Sequence, residues 1–173
     1  MTHPIQSLRI ERFWNGDPAP AQDWITLHLI LDEGGLTIRV DAPFYGDPVA
    51  PEAPVGSIDK LWEHEVVEVF LLGDDEHYTE IEMAPSGHYL VLQLQGVRNP
   101  VRTELPLNFK AEIQGNRWRG EAVIDRNLLP LGSLKMNATA IHGSGLDRSY
   151  LSWIPLAGDA PDFHQIDRFR LVF

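Results

Sequence analysis

The chain has 173 residues, of which 43% are hydrophobic and 23% charged, with 13 prolines, 14 glycines and no cysteine. One domain of that length buries enough surface for a real core, and the missing cysteines remove disulfide scaffolds, thiolate-held metal centres and thiol nucleophiles. The formal charge of −11 argues against nucleic acid and against anionic membranes, which both need a basic field, and leaves neutral or cationic partners.

The start, residues 1–17, has no basic segment followed by an apolar run of the kind export requires. No apolar stretch approaches the ~20 residues of a membrane span. A cytoplasmic protein, one domain over residues 1–173, is expected. Nearly every apolar stretch is short and alternating, the period of half-buried strands. Residues 24–31 and 36–42 flank Asp32-Glu33-Gly34-Gly35, a hairpin turn. Residues 65–72, 78–84 and 88–95 form a second run, joined by 73–77 and by Pro85-Ser86-Gly87. Strands follow at 108–114 and 117–124 around Gly115-Asn116, then at 135–142. The stretch 168–173 closes the chain, with Phe169, Leu171 and Phe173 expected on one face.

Helix signals are nearly absent. Asp125 reads as the N-cap of one short turn, stopped by Pro130 and Gly132. The segments 43–61 and 143–167 are long, rich in Pro, Gly and Asp, and of a length that marks functional loops. About ten strands with frequent turns predict an all-β, antiparallel β-sandwich. Trp14, Trp24 and Trp118 read as core.

The most informative stretch is Leu61 to Leu71, where Glu68 is the sole charge of a central strand spanning Val66 to Leu72. A carboxylate there is costly unless something pairs with it, and Arg98 and Arg102 are candidate partners. The next strand carries Tyr78, Glu80 and Glu82 on one face, and the following one Tyr89, Val91, Gln93 and Gln95 on one face. These strands can gather carboxylates, amides and a tyrosine beside Trp62, although alternating glutamates ordinarily form a solvated face, the reading taken for Glu80. An aromatic face with placed polar groups suits a sugar.

These residues also resemble a family. Trp62-x5-Glu68-Val69-Phe70, Tyr78-x-Glu80-x-Glu82 and Pro85-x-Gly87 look like the family 9 carbohydrate-binding modules and their DOMON-like relatives. Gly120-Glu121-Ala122-x-Ile124, Leu128-Leu129, Asn137 and Phe163-His164 extend the likeness from about Leu27 to Phe173. It is nearest to a branch of free-standing single-domain proteins. The resemblance implies a sandwich that binds sugar without cleaving it, in a slot between two indoles. Trp62 matches the first wall, Trp153 is the candidate second wall, and Glu68 and Glu82 match hydroxyl contacts. Tyr89 and Arg98 complete the expected ligand-binding set for a small saccharide or polyol.

Three other readings compete with a ligand-free sandwich. A glycoside hydrolase would place Glu68 and Glu82 about 5–10 Å apart across a sugar. A DOMON-like haem binder would use Met83 or Met136 with His28, His88 or His142. A metal site at Glu63-His64-Glu65 is ruled out because strand neighbours point to opposite faces, and no Asp-rich loop has calcium-binding spacing. No metal, catalytic residue or cofactor is therefore expected.

Overall fold

The computed structural model describes residues 5–173. Twelve strands form two antiparallel sheets, and every helical segment among the described residues is one three-residue 3-10 turn. The first sheet contains β1 (Ile5–Ile10), β2 (Ile25–Leu31), β3 (Gly35–Pro43), β8 (Asn108–Gln114) and β9 (Arg117–Asp125), in the order β1-β2-β3-β9-β8. The second contains β4 (Val66–Leu72), β5 (His77–Met83), β6 (Tyr89–Gln95), β7 (Pro100–Arg102), β10 (Lys135–His142) and β11 (Ser149–Ser152). Its order is β11-β10-β4-β5-β6-β7, with β12 (Arg170–Leu171) paired to β10. The expected sandwich is the observed architecture.

Leu27, Leu29, Ile38, Val40, Ala122 and Ile124 of the first sheet share one core with Val67, Val69, Leu71, Ile81, Met83 and Val91 of the second. Each buried aliphatic of this kind contributes roughly 1.5–3 kcal/mol. The core absorbs both Met83 and Met136 completely. His28 meanwhile hydrogen-bonds Ser7, His88 bonds Ser86 and Ala53, and His142 stacks on Tyr45. Both methionines are thus core residues, and each of these histidines has a partner of its own.

β4 is buried at all seven positions. A strand in the middle of a sandwich would normally show solvent one face, so the burial needs a second cover. The two long loops supply it. On the face turned away from the first sheet, Leu61, Val66, Ala84, Leu90 and Ile141 form one small cluster. Phe70, Leu72, Tyr78, Leu94 and Phe169 form another. Glu65 ties the first loop down by accepting from the Tyr45 and Gly46 amides at 3.0 and 2.9 Å.

Several details depart from the sequence reading. Strands β1, β7 and β11 are additional: all lie at sheet margins, with β1 buried at only two of six positions and β7 at none. The closing strand is two residues long, Phe169 enters a cleft-side cluster, Leu171 is exposed and Val172 enters the main core. The 3-10 turn Ile166–Arg168 takes up the start of the stretch expected to be strand. Trp118 is buried, and Trp24 packs on the core under the Arg9 guanidinium. Trp14 is only half-buried and belongs to none of the clusters. The expected cap is present, with the Asp125 carboxylate accepting from the Asn127 amide at 2.8 Å.

Candidate functional site

The registers of β4, β5 and β10 put Thr139 opposite Glu68, Glu68 opposite Glu82, and Phe70 opposite Glu80. Because residues two apart on a strand share a face, Glu80 and Glu82 must emerge together. Oxygens of Glu68, Glu80 and Glu82 lie within 4.8 Å of one another. The residues are 2%, 4% and 0% exposed. Three carboxylates thus meet on one sheet face, between the two small apolar clusters.

Beside them opens a cleft of about 410 Å³, lined among others by Trp62, Glu68, Glu80, Arg98, Tyr150, Phe163 and His164. Trp62 is 38% exposed and sits on the 3-10 turn Leu61–Glu63. Leu61 anchors that turn in the apolar cluster beneath it. Arg148 holds it from the other loop, donating to the Trp62 carbonyl at 2.6 Å, and its guanidinium lies 5.6 Å from the Tyr150 ring centre. Tyr150 meets Phe163 edge to face, with 6.1 Å between ring centroids. An indole, a phenol and a phenyl ring thus line the cleft above its acidic floor.

The carboxylates are poorly supported for their depth. Glu68 accepts one hydrogen bond from the Thr139 hydroxyl at 2.6 Å. Neither Glu82 oxygen has a hydrogen-bond partner, and Glu80 Oε2 has none. Burial pushes Glu68 up to about 7, against the pull of Thr139 and Arg148. Burial and the adjacent Glu68 push Glu80 up to about 8. Glu82 rises well above the carboxylate range through burial and both neighbours. The arginines named in the sequence do not neutralise them. Arg98 pairs with Asp162 at 2.6 Å, and Arg102 donates to Gln93 at 3.0 Å.

His164 borders the same floor, with Nε2 4.0 Å from Glu80 Oε2. Its Nδ1 lies 2.7 Å from the Tyr78 hydroxyl, which itself accepts from the Arg98 amide at 3.0 Å. Where the phenol donates to Nδ1, the imidazole hydrogen sits on Nε2, toward Glu80. Burial and the nearby Arg98 hold His164 down to about 4, so the ring is neutral at physiological pH.

Of the expected ligand contacts, Trp62, Glu68 and Arg98 line the cleft, and Glu82 belongs to the carboxylate cluster under it. Two do not join them. Tyr89 pairs with Met83, so it emerges on the opposite face of β6 and packs against the main core. The tight turn at 84–88 sets this phase: Ala84 and Gly87 donate to His88 and Ala84, so Leu90, Leu92 and Leu94 take the cleft side. Gln93 also points away and, with Thr79, caps the Leu128 carbonyl. Trp153 packs on the core with Arg170 5.9 Å from its ring centre, and it is Tyr150 and Phe163 that line the cleft. Asn137 explains that placement, since its amide oxygen accepts from Ala138 and Ile154 and fixes the backbone around Trp153.

Sequence reasoning missed Glu80, Tyr150 and His164. For Glu80 the signal existed: any reading that buries Glu82 must put Glu80 on the same face. Tyr150 falls in the segment read from sequence as a long loop, where the structure has the four-residue strand β11. His64 and Glu65 act separately, His64 on the Val49 carbonyl and Glu65 on the Tyr45 and Gly46 amides, as their alternation required.

Comparison with known sequences finds UPF0462 protein C4orf33 homolog of Danio rerio, 43% identical over 169 residues, covering 93% of this chain and 85% of that protein. The human UPF0462 protein C4orf33 is 37% identical over 170 residues, covering 94% and 85%. The chain belongs to the UPF0462 family. No family model matches it. Among solved structures, this UPF0462 chain resembles a candidate carbohydrate-binding protein of Bacteroides uniformis, with a TM-score of 0.72 at 16% identity over 96% of this chain and 85% of that one. It also resembles a family 9 carbohydrate-binding module of Caldicellulosiruptor kristjanssonii in complex with glucose. That TM-score is 0.57 at 13% identity, covering 96% of this chain and 79% of the module. Identities this low establish a shared fold. Among the described residues, no helix of the UPF0462 chain is long and apolar enough to cross a membrane.

Proposed function

We propose that this UPF0462 protein binds a saccharide or similar polyhydroxylated ligand without cleaving it, in the cleft between Trp62 and the carboxylate floor. The observation that carries this reading is the pairing of a partly exposed indole with buried, underbonded carboxylates in one cleft of ligand size. The indole face covers the C–H side of a sugar ring, while Glu68, Glu80 and the His164 Nε2–H offer contacts to its hydroxyls. The resemblance in fold to proteins described as carbohydrate-binding supports the choice of ligand class. The three carboxylates converge within 4.8 Å on one sheet face, closer than the pairs about 5–10 Å apart that flank a scissile glycosidic bond, which favours binding over hydrolysis.

Stacking on one aromatic wall is worth about 1–3 kcal/mol by analogy with base–aromatic contacts. With several exchanged hydrogen bonds, affinity is expected on the order of micromolar. Titration of tryptophan fluorescence with glucose, cellobiose and other short oligosaccharides tests the reading. Saturable quenching or enhancement that disappears in Trp62→Ala supports it; no response across a broad glycan panel by a folded protein overturns it.

A further inference from the structure

We propose that Glu68, Glu80 and Glu82 hold a divalent cation of calcium size at the floor of the cleft. The three side chains come from two adjacent strands, and their oxygens lie within 4.8 Å of one another. Separations below that bound admit metal–oxygen bonds of about 2.3–2.6 Å, and a buried set of three carboxylates favours Ca2+ over Mg2+, which sheds its waters reluctantly. An all-carboxylate oxygen set selects a hard cation over zinc or copper.

The unpartnered atoms point the same way. Glu82 is fully buried, yet neither of its oxygens meets a donor from outside the cluster, its carboxyl facing that of Glu80, and Glu80 Oε2 is equally bare. A proton shared between Glu80 and Glu82 satisfies one oxygen of Glu82 and leaves the other without a donor. No arginine forms an ion pair with the three carboxylates: Arg98 is paired with Asp162, and Arg148 donates to the Trp62 carbonyl and the Tyr150 hydroxyl. A cation among the carboxylates satisfies all three at once, leaving one net negative charge.

Glu68 and Glu80 also line the cleft, so the cation's open coordination positions face it. Ligand hydroxyls can then complete its shell. That consequence rests on the saccharide reading, but the cation site stands on the carboxylates alone. The site escapes sequence inspection because its donors are 12 and 14 residues apart on separate strands, at Glu68 against Glu80 and Glu82, rather than in one loop.

Calorimetric titration of the full chain, stripped with EDTA and exchanged into chelator-free buffer, tests the proposal with CaCl2 and MgCl2 as the probes. One Ca2+ per chain, at least tenfold weaker binding of Mg2+, and at least tenfold loss of Ca2+ affinity in both Glu82→Gln and Glu80→Gln are expected. The glutamines keep shape and volume, and circular dichroism verifies their folding. If wild-type protein takes up no Ca2+ at millimolar concentration, or if both folded variants bind it unchanged, the proposal is wrong. Fluorescence titration with cellobiose in EDTA and in Ca2+ keeps the two readings separate. Sugar binding with no Ca2+ uptake overturns the cation site and leaves the saccharide reading standing. Ca2+ uptake without any sugar response does the reverse.

Discussion

Trp62 and Glu82 carry opposite kinds of cost. The Trp62 indole is partly exposed and is attached to a turn whose anchor is Leu61, not the indole itself. Trp62→Ala is therefore expected to lower Tm by only a few degrees while weakening saccharide binding at least tenfold, about 1.4 kcal/mol; thermal melting and fluorescence titration read the two effects. Glu82 is a buried carboxyl with no partner, a group that costs roughly 1–3 kcal/mol to leave unsatisfied. Glu82→Gln removes a carboxyl whose ionised form burial and both neighbours oppose. In EDTA at pH 8 the variant is expected to be more stable than the parent in urea denaturation, the usual trade of stability for function. This pair also marks the limit of sequence reading at residue scale. Alternation put Glu68 and Glu82 where the structure has them, but nothing in the alternation separates a solvated glutamate from a buried one, and Glu80 fell on the wrong side of that line.

Two elements present the site, and each has a point of weakness. The turn bearing Trp62 depends on the reach of Arg148 from the opposite loop. Arg148→Ala is expected to leave the sandwich intact but weaken saccharide binding several-fold, because the indole loses its fixed position; comparison of Kd and Tm separates this from unfolding. The hairpin of β2 and β3 depends on Gly35, which has φ +148° where the sheet continues into β9, and a Cβ there would overlap the Ile124 carbonyl oxygen. Gly35→Ala is expected to destabilise the protein by about 2 kcal/mol or more, within the range for strain at a special backbone position, with ligand affinity of the folded fraction unchanged. The hairpin was legible in the sequence because Asp32-Glu33-Gly34-Gly35 has turn chemistry, and the structure bears it out with the Asp32 carboxylate accepting from Gly34 and Gly35. Tyr89 was misplaced because the phase of β6 depends on how many residues its turn consumes. An error of one residue turns every side chain to the other face.

At the scale of the whole molecule, one face of the second sheet serves as core and the other as the site, each with its own apolar cover. The buried carboxylates give this arrangement a pH signature. Their values in the folded chain lie above the ordinary 4.5, at about 7 for Glu68 and about 8 for Glu80. Between these limits the native state binds more protons than the unfolded chain, so stability falls as pH rises. Metal-free protein is expected to lose unfolding free energy steadily from about pH 5 to pH 8 in urea titrations, and Ca2+ at pH 8 is expected to restore it. The charge of −11 adds self-repulsion of the same sign.

Composition, alternation and turn residues by themselves determined an antiparallel all-β sandwich, its main strands and the strand on which a lone carboxylate sits. Those properties follow from backbone periodicity and turn chemistry, which act over a few residues. Only the tertiary structure decided that Tyr150 and Phe163 line the cleft and Trp153 does not, that Glu80 joins Glu68 and Glu82, and that no arginine neutralises them. Each of these depends on loop paths and on strand register across residues far apart in sequence, where no local preference acts.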